Sequence, residues 1–104
     1  MNKFLNRVER NAIYDALLKK FSPNAQMIVA IEELSELQKE ICKYLRNKEQ
    51  LYLVKGLVEE IADVEIMLEQ IKFLLNLDWQ VEDMKDQKVR RTEERYLKEV
   101  SNER

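Results

Sequence analysis

The segment LVEEIADVEIMLEQIKFLL (residues 57–75) is one of the most apolar in the chain, yet it carries carboxylates near its start. Plotted at about 100° per residue, a helix over this segment places Glu60 and Asp63 on its inward, apolar side. The opposite stripe, which we predict to be the solvent face, consists of Glu65, Glu69 and Lys72. Carboxylates are costly to bury unless they are paired, protonated or bound to a cation. The segment therefore predicts a helix whose acidic residues need a partner.

Apolar residues spread around much of the remaining circumference of this helix, including Leu57, Ile61, Val64, Leu68 and Phe73. A helix that is apolar on most sides is usually covered by more than one neighbour. We therefore expect a stable oligomer, in which the bundle of the same chain covers one part of the helix and a second subunit covers another.

The rest of the chain is typical of a helical protein, with one glycine and one proline in 104 residues, 45% apolar residues and 37% charged residues. We predict a single all-α domain over residues 1–104. Ser22 suits a helix N-cap, Pro23 a first helical position, and Asp78 a second cap. Short connections favour an antiparallel four-helix bundle. The predicted helices cover about 3–20, 23–46, 50–76 and 79–101.

Composition narrows the classes of partner. A formal net charge of −2 gives no reason to expect nucleic-acid binding. The N-terminal residues resemble neither a signal peptide nor a membrane span, so we expect a cytoplasmic protein without a membrane partner. Because the chain has no histidine, a metal site would use oxygen ligands, which favours Mg²⁺, Mn²⁺ or Ca²⁺.

Four carboxylates form two pairs at helical spacing, Glu33 with Glu36 and Glu60 with Asp63. If the two helices pack together, these groups would repel one another and raise each other's pKa values unless a divalent cation is bound. The alternative is an ordinary solvated surface, in which the acids form ion pairs with lysines. The candidate lysines are Lys39, Lys43, Lys55 and Lys72.

The two acidic motifs are EELSE (32–36) and EIAD (60–63), separated by residues 37–59. Their order and spacing resemble the EExxE…ExxD signature of MazG-like nucleoside triphosphate pyrophosphohydrolases, which belong to the all-α NTP pyrophosphatase superfamily. The stretch NAQMIVAIEELSEL (24–37) is similar to small members of this group from phages and Gram-positive bacteria. The resemblance covers about residues 22–97.

This resemblance implies a Mg²⁺-dependent enzyme, with Mn²⁺ as an alternative metal, that cleaves a nucleotide between its α and β phosphates. The implied metal ligands are Glu33, Glu36, Glu60 and Asp63, which would act in catalysis through the bound metal. It also implies a homodimer or a homotetramer, in which neighbouring subunits help to build the active site.

Residues outside the acidic motifs would bind the substrate. Gln26 lies two turns before Glu33 and matches a glutamine of similar proteins, although it could also be a polar residue at a helix start. Lys88, Arg91 and Arg95 share one face of the fourth helix and resemble basic residues that hold phosphates in this family. The alternative is a solvated basic face paired with Glu94 or Glu99.

Two other functions are consistent with the same residues. The chain could be a helical interaction protein whose acidic motif does not catalyse, or a bundle that binds a divalent ion only structurally. The sequence leaves open the base, the sugar and the biological role of a nucleotide substrate.

Overall fold

In a computed structural model, which describes residues 3–48 and 51–98, the chain is all-α and the described residues form no strand. The all-α prediction is confirmed. The four helices are α1 (Arg7–Phe21), α2 (Pro23–Arg46), α3 (Leu51–Leu75) and α4 (Asp78–Tyr96).

The first helix begins four residues later than predicted, at Arg7. Asn6 is its N-cap, since the Asn6 side chain accepts a hydrogen bond from the Glu9 backbone N–H at 2.8 Å. The Glu9 carboxylate in turn accepts from the Asn6 N–H at 2.9 Å. This reciprocal capping box stabilises a helix start at Arg7 and leaves residues 3–6 outside the helix.

Ser22 is the single residue between α1 and α2, and it is the N-cap of α2, as predicted. Its backbone N–H donates to the Leu18 carbonyl of α1, and its hydroxyl accepts from the Ala25 N–H of α2 at 3.2 Å. Its φ of 80° lies in a region that non-glycine residues rarely adopt. Pro23 then occupies the first position of α2, where its missing N–H leaves no hydrogen bond unmade.

The predicted turn between the last two helices is confirmed, but Asp78 is not its cap. Asn76 adopts a left-handed conformation (φ 57°), and the Leu77 N–H returns to the Lys72 carbonyl at 2.9 Å. Leu77 is the N-cap residue of α4 and Asp78 is already its first helical residue. The predicted start of α3 at Gln50 lies outside the described residues. The fourth helix ends at Tyr96, earlier than the predicted end near residue 101, because the N–H groups of Leu97 and Lys98 both return to the Glu93 carbonyl and form a turn.

The pairing of α2 with α3 is the most extensive helix contact in the described chain. The two helices run antiparallel, and Ala30, Leu53, Val64 and Met67 are buried in the core of the chain. Gly56 permits a close approach: a Cβ at this position would lie 2.5 Å from Glu40 Oε1 of α2. The single glycine therefore lies where the carboxylate of one helix meets the backbone of the other.

Glu69, predicted to face solvent, instead anchors α1 to α3. Its carboxylate accepts a hydrogen bond from the Tyr14 hydroxyl at 2.5 Å. Arg7 and Arg10 lie 3.4 and 3.3 Å from its oxygens. The prediction was wrong because α1 packs over Glu69, which keeps only 15% of its side chain exposed. Glu65 is exposed, as predicted.

The fourth helix contacts α3 but neither α1 nor α2 among the described residues, and it buries none of its residues. The predicted antiparallel four-helix bundle is therefore not confirmed by the described residues and stays a prediction. Within the described chain, every helix falls short of the length or the hydropathy that a membrane crossing needs.

The Tyr14–Glu69 contact predicts a loss of stability at alkaline pH. Burial, followed by the hydrogen bond and charge of Glu69, raises the pKa of Tyr14 from 10.0 to about 12. Because the pKa of Tyr14 is higher in the folded state, its contribution to stability is complete below pH 10 and is lost as pH rises through about 12. Tyr14→Phe should cost roughly 1–3 kcal/mol at pH 7 and flatten this loss in urea unfolding curves. If the free energy of unfolding falls equally steeply between pH 10 and 12 in the wild type and in Tyr14→Phe, the result would contradict the contact.

Candidate metal centre

Three carboxylates from two helices meet at the α2–α3 contact. Glu60 and Asp63 are one turn apart on α3, and the antiparallel pairing sets Glu33 of α2 opposite them. One oxygen from each residue lies within 4.8 Å of the other two, and all three side chains are half-buried. The inward placement predicted for Glu60 and Asp63 is confirmed.

Glu60 is the least satisfied member of the group. Its Oε1 is buried and has no hydrogen-bond partner among the described residues. Burial raises the pKa of the Glu60 carboxyl, and the close approach of the Glu33 carboxyl raises it further. The negative charges of Glu33, Asp63 and Glu36 act in the same direction. A charged Glu60 is therefore disfavoured unless a cation or a proton lies beside it.

The donor set suits a hard divalent cation. Oxygen ligands of Mg²⁺ lie about 2.1 Å from the ion, so that ligands in an octahedron are separated by about 3.0–4.2 Å. The three carboxylate oxygens lie within 4.8 Å of one another, which is already close to this spacing without a bound ion. The residues therefore fit Mg²⁺, and the buried Oε1 of Glu60 is an acceptor that such an ion would satisfy.

Glu36, the fourth implied ligand, lies outside this group of three. It is about half exposed, and its Oε1 lies 3.7 Å from the Lys39 ammonium. Its negative charge nevertheless contributes to the raised pKa of Glu60. The long contact to Lys39 is a weak restraint on Glu36, since exposed pairs of this kind contribute little free energy.

Gln26 takes part in a contact that the sequence interpretation missed. Its Nε2 donates a hydrogen bond to Gln70 Oε1 of α3 at 2.9 Å. Gln70 is only 2% exposed and is the one polar residue buried in the described chain. Gln26 precedes Glu33 by two turns, and Gln70 follows Asp63 by two turns. In an antiparallel pair that spacing places the two amides opposite each other, so the contact could have been found from the sequence.

The basic residues of α4 are not brought to the carboxylates within one chain. Lys88, Arg91 and Arg95 are all exposed, and α4 does not contact α2, which carries Glu33. The Arg95 guanidinium lies over the Tyr96 ring, 5.9 Å from its centre. The neighbouring Arg90, by contrast, pairs with Asp86 at 2.8 Å.

Comparisons with known proteins identify no relative: no protein-family model, no curated protein and no solved structure matches the chain.

Removing one charge from the group should stabilise the metal-free protein. Since the pKa of Glu60 is raised on folding, its protonation favours the folded state below the unfolded pKa of about 4. That advantage is lost as pH rises through the folded value. Asp63→Asn relieves the repulsion at nearly constant shape, so at pH 7 in EDTA it should melt a few degrees above wild type. The difference should vanish near pH 4.

Asp83→Asn on α4 is the matched control, because Asp83 is exposed and lies outside the group. It should leave the melting temperature nearly unchanged in EDTA. If Asp63→Asn melts no higher than this control, the three carboxylates do not repel one another in the folded chain.

Proposed function

We propose that the protein is a nucleotide pyrophosphohydrolase that uses Mg²⁺ or Mn²⁺ to cleave a nucleoside triphosphate between its α and β phosphates. The products would be a nucleoside monophosphate and pyrophosphate. The observation that carries the proposal is the buried Oε1 of Glu60, which has no hydrogen-bond partner within residues 3–48 and 51–98 and lies beside Glu33 and Asp63. The resemblance of the EELSE and EIAD motifs to MazG-like enzymes supplies the reaction.

The three grouped carboxylates would hold the metal, with Glu60 and Asp63 from α3 and Glu33 from α2. When bound, Mg²⁺ supplies charge neutralisation for the phosphates and lowers the pKa of a coordinated water. Because the three side chains are half-buried rather than enclosed, one side of the site is open to phosphate oxygens and water. Glu36 would complete the site by turning from Lys39, a contact that is long and exposed.

A triphosphate also needs cationic side chains around the phosphates that leave. Lys88, Arg91 and Arg95 would supply them in a homodimer or a homotetramer, where α4 of one subunit could approach the carboxylates of another. The separation of α4 from α2 within one chain supports this arrangement. Gln26 would contact the substrate from the Gln70 side of the site.

A nucleotide panel tests the reaction most directly. Canonical, damaged and alarmone nucleotides would be incubated at fixed Mg²⁺, and pyrophosphate and monophosphate release would be measured together. Pyrophosphate released in equal amount to the monophosphate supports the proposal, whereas release of inorganic phosphate alone would contradict it. A Mg²⁺-induced rise in melting temperature without turnover of any nucleotide would favour a structural metal site, and no rise would favour a helical interaction protein.

Glu33→Gln should remove both metal binding and turnover. The loss of one anionic ligand is expected to lower kcat/KM by at least about 100-fold and to abolish the Mg²⁺-induced rise in melting temperature. Glu32→Gln is the matched control, because Glu32 is adjacent in sequence but exposed and outside the group. Equal effects of the two substitutions would remove Glu33 from the site.

Arg91→Ala should weaken turnover while leaving helicity and Mg²⁺ binding intact. The loss of a charge-assisted contact to phosphate corresponds to roughly 1.5–3 kcal/mol, or about ten- to a hundredfold in kcat/KM. Arg90→Ala is the control, since the Arg90 side chain is already paired with Asp86. Steady-state rates that are unchanged by Arg91→Ala would assign this face of α4 to solvent.

A further inference from the structure

Gln70 is buried more deeply than any apolar residue of the core, with only 2% of its surface exposed. Its amide makes two hydrogen bonds: Oε1 accepts from Gln26 Nε2 at 2.9 Å, and Nε2 donates to the Met67 sulfur at 3.6 Å. The other side chains around the two amides are apolar, among them Leu18 and Leu74. A polar group is thus held inside the α2–α3 contact by one partner on each helix.

The Met67 sulfur determines which end of the Gln70 amide faces which neighbour. A thioether sulfur accepts hydrogen bonds but has no hydrogen to donate, so the nitrogen of Gln70 is the end that faces it. Gln70 Oε1 then faces Gln26, and it pairs with the Gln26 nitrogen. In the described chain the crevice around these amides is too narrow to admit a water molecule, so water does not replace this pairing. Met67 and Gln70 together therefore fix the orientation of the Gln26 amide.

The carbonyl oxygen of Gln26 is the group that this orientation leaves free. Within residues 3–48 and 51–98, Gln26 Oε1 accepts no hydrogen bond, and it is not buried. The side chain as a whole is half-buried. A carbonyl oxygen has two lone pairs, so Gln26 Oε1 can accept a hydrogen bond from an N–H or O–H group of a ligand.

Stability alone gives little reason for an amide at position 70. A buried amide loses its hydrogen bonds to water, and the long contact with a sulfur replaces them only in part. A methionine or leucine, which is similar in size, would pack against the same apolar neighbours without that cost. The position therefore suits a residue that orients Gln26 better than one that only fills the core.

The Gln26–Gln70 pair lies in line with the candidate metal centre. Gln26 precedes Glu33 by seven residues, and Gln70 follows Asp63 by seven, so each separation is two turns, or about 10 Å along the helices. The sugar and the base of a nucleotide extend over a comparable distance from a phosphate bound at the metal. An uncharged amide pair at this distance is suited to the nucleoside, which is also uncharged.

The opposite end of the same line is less suited to a nucleoside. Glu40 lies against Gly56 there, and its carboxylate is paired with Lys43 at 3.1 Å. Its oxygens are therefore engaged by an ammonium group, and their negative charge is unfavourable near a triphosphate. The nucleoside fits better on the Gln26 side.

We propose that Gln70 is a positioning residue, which holds the Gln26 amide so that Gln26 Oε1 accepts a hydrogen bond from the nucleoside. The donor would be an N–H group of the base or a hydroxyl of the sugar. Gln70 itself does not touch the substrate. The inference rests on the proposed nucleotide hydrolysis, and it adds a preference for nucleosides that offer a donor at this point.

Steady-state kinetics of Gln70→Met, Gln26→Met and the double variant test the inference on the best substrate of the nucleotide panel. Gln70→Met removes the acceptor that holds Gln26, so KM should rise about three- to tenfold with kcat nearly unchanged, because the lost hydrogen bond acts on binding. The melting temperature should not fall. The double variant should have the KM of Gln26→Met alone, since Gln70 acts through Gln26. Gln38→Met is the control, because Gln38 is exposed on α2 and outside the site, and its KM should equal that of the wild type.

Two analogues of the substrate identify the donor. One lacks an N–H group of the base, and the other lacks a hydroxyl of the sugar. The analogue without the donor should have a KM about three- to tenfold higher in the wild type, and Gln70→Met should not raise it further. If the wild type has the same KM for both analogues as for the parent nucleotide, the inference is overturned.

The outcomes separate the inference from the proposed function. A wild-type KM in Gln70→Met, or effects on KM that multiply in the double variant, would overturn the inference and leave the hydrolysis proposal in place. A lower melting temperature and kcat without a rise in KM would make Gln70 a structural residue only. No hydrolysis of any nucleotide by the wild type would overturn both. Circular dichroism shows whether each variant keeps its helices, and Gln70→Leu repeats the test if Gln70→Met does not fold.

Discussion

The antiparallel contact between α2 and α3 is the interaction on which the rest of the structure depends. It contributes most of the contacts between helices, and it determines which residues of the two helices face each other. One register aligns Gln26 with Gln70, Glu33 with Asp63, and Glu40 with Gly56, at successive intervals of two helical turns. Polar groups therefore recur along a contact that would otherwise be apolar. The middle pair, Glu33 with Asp63, belongs to the candidate metal centre.

The carboxylates of the candidate metal centre lower the stability of the metal-free chain. A buried oxygen of Glu60 has no hydrogen-bond donor in the described part of the chain, and burial together with the surrounding negative charges raises the pKa of its carboxyl. By contrast, Glu69 on the same helix is satisfied by Tyr14 and two arginines. The chain thus neutralises one half-buried carboxylate with its own side chains and leaves another without a partner among the described residues. This difference on one helix supports the proposal that Glu60 binds a divalent cation.

The single chain is incomplete in a second respect. Among the described residues, α4 buries none of its side chains, and large apolar side chains of α2 and α3 such as Ile31, Leu45 and Val58 are exposed. In the proposed homodimer or homotetramer, another subunit would cover apolar side chains of this kind, and basic residues of α4 could approach the carboxylates of that subunit.

Local features were predicted well from the sequence because they depend on neighbouring residues. Ser22 and Pro23 define the start of α2, and the inward placement of Glu60 and Asp63 follows from helical periodicity and apolar neighbours. The capping box at Asn6 is also local, but the apolar residues before it suggested an earlier helix start.

Only the tertiary structure decided which side of each helix meets another helix. From the sequence, Glu69 is predicted to be solvated, but α1 packs over it. Glu36 is implied as a ligand equal to Glu33, but the contact between α2 and α3 brings Glu33 and not Glu36 into one group with Glu60 and Asp63. Periodicity gives the angle of a residue around its own helix, whereas burial and charge pairing depend on where the neighbouring helices lie. The sequence by itself therefore determined the helices and the inward acidic residues, and the packing of α1, α2 and α3 determined which carboxylates were neutralised and which were left together.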